Sequence, residues 1–454
     1  MVLWLMSCLL QSPQVDVYTD VTIVDCQVGR LISHQCMEVT NGLISAIHDT
    51  SVCDHPSQVP NHQLTGTYLI PGFMDLHVHF PADGRYHQAI LDRLLEFGIT
   101  TILNPGARPE AGVRLRTELE QGVRRGPRMF TAGRIIDSPP SSEDLKPWAA
   151  IISNREEMEA EIEQQAMSGV DFIKLYKHVP PDLFEAGINR AHQLGLKVIG
   201  HMGATTWTQA TEMGVDMLVH SGYGTPMDEW IDLPNAEEVS DQVWYEAYAA
   251  APTRPFFSQR TLKMRKMGVS VVPTLAITEA AAIGKDASML ARYRTDLAPA
   301  ADLPGWWGEG WRNRHSQYGD DLSPGEDILL ETIYLQGVFK FLLGFHNADI
   351  KIGVGTDVGN AWMTPGHIYH YELELYQKAG IPPAHILNMA TAQGAEILGI
   401  AEQVGDLVVG KQADFIVLDR NPLEDIRHSR SIRAVYKRGT RVSGSVLQPF
   451  SPKP

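Results

Sequence analysis

Eight short apolar segments constrain this chain more than any other feature. They are Met74–His79, Thr100–Asn104, Arg128–Ala132, Asp171–Tyr176, Lys197–His201, Met217–His220, Val269–Thr274 and Lys351–Asp357, and most of them run out into polar residues. Amphipathic or polar stretches of helix length separate them, which is the pattern of repeated βα units. Eight such units predict an α/β fold, a distorted (β/α)8 TIM barrel over residues 70–399. The connections after His220 and Thr274 are long and are expected to carry extra helices or substrate loops. Trp306, Trp307 and Trp311 fall in the second of these and read as anchors of that insertion's own small core.

The two ends of the chain have a different rhythm. Val21-Thr22-Ile23-Val24 is β-branched, and Asn41-Gly42 lies between two apolar runs, a strong hairpin signal because both residues tolerate positive φ. Near the C-terminus, Phe415-Ile416-Val417-Leu418 and Arg433-Ala434-Val435-Tyr436 repeat the theme. Residues 15–69 and 400–454 are therefore expected to pair into one small β-sandwich domain. Met1–Leu10 is apolar but too short to span a bilayer, and it lacks the positive start of an export signal. Residues 1–14 read as a tail or the remnant of such a signal, which leaves localisation open between cytoplasm and export.

A length of 454 residues suits one large and one small domain, and a formal net charge of −16 argues against nucleic acid or anionic membrane as partners. Cys8, Cys26, Cys36 and Cys53 are the four cysteines, all near the N-terminus. Their spacing matches no zinc finger and specifies no disulfide. Any metal bound by the long remainder must be held by nitrogen and oxygen donors.

Residues at the C-terminal ends of barrel strands converge on one face. The first segment ends in His77-Val78-His79, whose alternation sends both imidazoles to one side. Lys174 lies among apolar neighbours in the fourth. A bare ammonium there would be costly, whereas an amine that has reacted with carbon dioxide becomes an anionic carbamate able to bridge two metals. His201 and His220 end the fifth and sixth segments, and Asp357 ends the eighth. Alone, each has a blander reading, such as a hydrogen-bonded core histidine, a solvated lysine or a capping aspartate. Their joint placement at strand ends is what points to a site for two divalent ions.

These residues resemble the amidohydrolase superfamily. Leu69-Ile70-Pro71-Gly72-Phe73-Met74-Asp75-Leu76-His77-Val78-His79 is similar to the family's approach to strand one, and Gly355-Thr356-Asp357 to its strand-eight metal aspartate. Ala390-Thr391 through Leu398-Gly399, with Gly405, Gly410-Lys411 and Ala413-Asp414, resembles its closing helix and return to the sheet domain. The resemblance implies the binuclear branch with a carboxylated lysine, and within it the imidazolonepropionase-like group that includes prolidase-type dipeptidases. It implies that His77 and His79 bind one ion, that His201 and His220 bind the other and that Lys174 bridges. Asp357 would be both ligand and general base. The metal implied is zinc, and oligomers are a family expectation. Gly200-His201-Met202-Gly203 departs from the group's usual surroundings of that histidine.

The expected reaction is hydrolysis of an amide or peptide C–N bond in a small-molecule substrate, a dipeptide or N-acyl amino acid, through a metal-bridging hydroxide. Asp357 would take the proton and pass it to the leaving nitrogen. Arg134, Tyr176, His178, Tyr223 and His367 are candidates to hold a substrate carboxylate, with Tyr176 and His178 favoured because they follow the lysine segment directly. Deamination of a cyclic amidine, lactone or phosphotriester hydrolysis on the same metal pair, and a catalytically dead scaffold are the competing readings. Lys174 speaks against the first, because mononuclear deaminases generally lack it, and the full ligand set speaks against the last.

Overall fold

The apolar segments pair into two sheets in the computed structural model, which describes residues 14–54, 58–81, 84, 86–141, 148–221, 228–231, 240–283, 324–360 and 363–443. The first sheet joins the two ends of the chain. Its strands are β1 (Val15–Asp25), β2 (Arg30–Thr40), β3 (Leu43–Asp49), β4 (Asn61–Gln63) and β5 (Tyr68–Pro71), then β15 (Phe415–Leu418), β16 (Ile432–Lys437) and β17 (Thr440–Ser443). They lie in the order β17-β16-β15-β5-β1-β2-β3, with β4 beside β1. The ends meet where β5 pairs antiparallel with β15, Tyr68 opposite Leu418. Asn41 and Gly42 turn the β2–β3 hairpin at φ 51° and 82°, as their sequence predicts. Phe415 and Tyr436 stack inside this sheet's core, and Tyr18 packs edge-on against Phe415. A disulfide joins Cys36 to Cys53, and Cys26 is a buried free thiol.

The second sheet is the barrel. Its strands are β6 (Phe73–Asp75), β7 (Ile99–Asn104), β8 (Arg128–Asp137), β10 (Phe172–Leu175), β11 (Lys197–Gly200), β12 (Met217–Val219), β13 (Ser270–Val272) and β14 (Lys351–Ile352), and β9 (Ala149–Ile151) adds to β8. All pair in parallel. The ring closes between its first and last segments. Leu76 N donates to Val354 O at 2.8 Å, Asp357 N to His77 O at 2.8 Å, and His79 N to Val358 O at 2.6 Å. The fold class read from the sequence is thus the one observed.

Strand limits differ from expectation in two informative places. Regular pairing ends at Asp75 and at Ile352, so His77, His79 and Asp357 stand on extended segments beyond β6 and β14. The closing contact is tight there, because a Cβ on Gly355 would collide with Val272 and lie 2.9 Å from the His77 Cβ. β8, by contrast, continues past Ala132 to Asp137, since Ile135 and Ile136 pair with both β10 and β9. The connection after His220 carries helices Asp241–Ala250 and Pro255–Met267. Trp306, Trp307 and Trp311 lie outside the described residues. Among the described residues, no helix is long and apolar enough to cross a membrane.

Candidate metal centre

Beyond β6, the chain brings His77 and His79 up against Asp357. Oδ1 of Asp357 lies 3.3 Å from His77 Nε2 and 3.4 Å from His79 Nε2. That is the spacing of two donors that each sit about 2.1 Å from a shared tetrahedral ion. His77 is almost wholly buried, and burial pushes its imidazole well below its usual range, so it is neutral and has a lone pair to give. Behind it Asp75, missed as a functional residue in the sequence, ties the two closing segments together. Its carboxylate accepts from His77 N at 3.2 Å, Thr356 N at 3.0 Å and Thr356 Oγ1 at 2.6 Å. The cue was a carboxylate inside an apolar run, which burial makes expensive unless it is satisfied. Burial pushes Asp75 up to about 7, against the lowering pull of those hydrogen bonds.

Lys174 lies on β10. It pairs across β10 with Ile135 on one side and Ile199 on the other, and it is only 2% exposed. Among the described residues, its Nζ has no hydrogen-bond partner, and neither has His77 Nδ1. Burial brings Lys174 down to about 7, with Asp357 pulling the other way. Burial of this kind favours the neutral, nucleophilic form of the amine. Orphaned buried polar atoms beside clustered imidazoles fit a site built for cations.

The second cluster follows β11 and β12. The His201 and His220 rings lie 4.5 Å apart, and His220 is 4.8 Å from His77, which makes the two clusters continuous. Burial first, and the neighbouring His201 and Lys174 next, push His220 well below its usual range. Its tautomer can be read from the hydrogen bonds. With the Thr274 hydroxyl donating to Pro273 O at 2.8 Å, its oxygen accepts from His220 Nδ1, 2.7 Å away, and all three groups are satisfied. Nε2 of His220 is then left as the donor atom for an ion. Three strand-end residues, His220, Thr274 and Asp357, have positive φ of 63°, 50° and 58°. For a β-branched threonine this is a strained conformation of the kind that gathers at functional sites.

Around this centre the expected substrate residues divide. The Tyr176 ring packs 4.4 Å from His201. His178 is fixed by Asp137 at the end of β8, whose buried carboxylate accepts from His178 N at 2.8 Å and from Nδ1 at 2.9 Å. Asp137 was hidden in the sequence because β8 was read as ending at Ala132. Arg134 is engaged by Glu161 through two hydrogen bonds, and His367 by Arg93 and the Phe97 ring, so both have structural partners. Tyr223 lies outside the described residues.

Comparison with known proteins accounts for this layout. The amidohydrolase family profile matches residues 68–300 and 328–442, covering the whole barrel and its return to the first sheet. The chain belongs to the amidohydrolase family. Among curated amidohydrolase relatives, guanine deaminase of Escherichia coli is 31% identical over 96 residues, 19% of this chain and 21% of that one. Ochratoxinase of Aspergillus niger is 31% identical over 116 residues, 24% of this chain and 23% of that one. These sequence matches span only about a fifth of each relative. Solved structures match the fold far more widely. A Xaa-Pro dipeptidase with bound methionine superposes with a TM-score of 0.68 at 18% identity, covering 95% of this chain and 100% of that one. The bottromycin amidohydrolase does so with a TM-score of 0.72 at 22% identity, over 95% and 88% respectively. Amidohydrolases generally bind a divalent metal, and in this chain His77, His79 and Asp357 offer donors all within 4.8 Å of one another. Membership of this family supports metal-dependent hydrolysis of C–N bonds as the class of activity.

Proposed function

We propose that this amidohydrolase cleaves the amide or peptide C–N bond of dipeptides or N-acyl amino acids on a binuclear centre. The observation that carries this reading is Lys174, a buried amine with no hydrogen-bond partner among the described residues, near enough to both clusters that its charge bears on His77 in one and His220 in the other. Its neutral form attacks carbon dioxide; a C–N bond forms and an N–H proton leaves to solvent. The resulting carbamate would present anionic oxygen donors in place of the amine. His77, His79 and Asp357 would hold one ion, and His201 and His220 the other. Two zinc ions bound there would supply Lewis acidity toward the substrate carbonyl and an acidified water as nucleophile.

The other steps belong to the protein. Asp357 accepts the nucleophile's proton on its carboxylate and returns it to the leaving nitrogen. Thr274 keeps His220 in the tautomer that exposes Nε2. Tyr176 and His178 hold the substrate's free carboxylate, with Asp137 fixing the His178 ring from behind at Nδ1. In the proposed domain division, residues 70–399 carry this chemistry and residues 15–69 and 400–454 form the supporting sheet domain. The similarity to guanine deaminase supports a second reading, deamination of a cyclic amidine, in which Lys174 would have no task.

The test is a substrate panel offered to zinc-loaded protein. Dipeptides and N-acyl amino acids are scored for new primary amine, and cyclic amidines and nucleobases for ammonia. Amine release from the first set supports the proposal. Ammonia release from the second, with the first set left intact, overturns it.

A further inference from the structure

The small sheet holds a second group of metal-type donors that hydrolysis does not use. In the β2–β3 ladder Cys36 stands directly opposite His48, and Glu38 lies two residues along β2 on the same face. After β3 the chain turns through Thr50–Val52, a 3-10 turn started by Asp49, whose carboxylate accepts from Ser51 N at 2.8 Å. This turn brings Cys53 back over Cys36, with the two Cα atoms 6.1 Å apart. The two sulfurs and a ring nitrogen of His48 lie within 4.8 Å of one another, and His48 Nε2 is 3.4 Å from Glu38 Oε1. Two sulfurs and one nitrogen thus meet at one corner of the sheet, with the Glu38 carboxylate beside the nitrogen. Cys36 is fully buried, while the His48 and Glu38 side chains are 30% and 23% exposed and leave a way in from solvent.

We propose that reduction of the Cys36–Cys53 disulfide converts this corner into a site for a zinc-class ion. The ligands are the thiolates of Cys36 and Cys53 and the imidazole of His48, with the Glu38 carboxylate as the fourth donor. Zinc holds thiolates at about 2.3 Å, which puts two sulfurs of one tetrahedral site about 3.8 Å apart. The ion and the disulfide therefore exclude each other. A dithiol supplies the two electrons and two protons that open the disulfide, and closes to its own cyclic disulfide. Uptake of the ion then releases the two thiol protons. Borderline-soft ions suit this mixed donor set, and hard ions such as magnesium do not. The 50–53 turn is consequently pinned to β2 in either redox environment, by a covalent bond when oxidised and by an ion when reduced.

The test exploits the absence of any cysteine after Cys53, which means that the barrel donors are all nitrogen and oxygen. Wild-type protein is reduced with a dithiol, freed of it anaerobically and titrated with cobalt(II). The near-ultraviolet thiolate-to-cobalt charge-transfer band is followed, to which barrel-bound cobalt contributes nothing. The expected result is a saturable band of one equivalent in reduced protein and none in oxidised protein. It should be abolished in Cys36→Ser, weakened at least about tenfold in affinity in His48→Ala and preserved in Cys26→Ser. Absence of the band in reduced wild type would overturn the proposal, as would its persistence in Cys36→Ser or unchanged affinity in His48→Ala. Wild-type protein alone decides the first point, so a variant that fails to fold does not shield the proposal.

Discussion

Asp357 touches both histidines of the first cluster, yet the proposed reaction asks it for a proton transfer that an amide cannot perform. Asp357→Asn should keep most of the bound metal while turnover falls by roughly 10²–10⁴-fold; unchanged turnover would remove Asp357 from the chemistry. Thr274 acts one bond further out. Thr274→Val deletes the acceptor of His220 Nδ1 and should weaken metal affinity by about 10–100-fold, measured by competition with a chelator. An unchanged affinity would show that the tautomer needs no such support. Asp75→Ala leaves two buried backbone donors and the Thr356 hydroxyl without their acceptor, and is expected to lose on the order of 3 kcal/mol in denaturant unfolding. At this scale the histidines, Lys174 and Asp357 could be read from the sequence because each ends or occupies an apolar run. Asp75, Asp137 and Thr274 could not be assigned roles, since these depend on which backbone amide or ring another segment brings within reach.

Whole elements were legible in their kind and order and less so in their length. The eight barrel segments follow from period and composition, but pairing stops early in β6 and β14 where the ring closes, a contact that no local pattern encodes. Gly359 shows what that closure demands. It has φ 114°, and a Cβ there would lie 2.6 Å from the Cβ of His79. Gly359→Ala should displace the segment from His79 and lower metal occupancy, as measured on purified protein, while far-ultraviolet circular dichroism stays near wild type. The join between sheet and barrel makes a separate prediction. Lys437 on β16 donates to Gly126 O at 2.6 Å ahead of β8, and burial pushes it down to about 8 from its ordinary 10.5. Between those values the unfolded chain binds the extra proton, so the penalty is complete below pH 8 and disappears as pH rises toward 10.5. Denaturant unfolding at pH 7.5 and pH 10 should show wild type gaining stability relative to Lys437→Met, and parallel behaviour would contradict the assignment.

For the molecule as a whole, the two ends of the chain make the sheet that β5 and β15 join, and the barrel they enclose presents every proposed ligand at the mouth formed by its strand ends. That architecture is specified by alternating apolar runs spread over hundreds of residues, which is why it was readable without coordinates. The substrate was not readable, because Tyr223 and the sequence segment holding Trp306 carry no periodic signal. The central claim is that Lys174 joins two metal ions in one centre. It is tested most directly by elemental analysis of wild type and Lys174→Ala purified side by side without added metal. The account predicts about two equivalents of divalent transition metal per chain in wild type and marked loss in the variant. One equivalent in both proteins would contradict it, leaving Lys174 without a bridging role and the centre mononuclear.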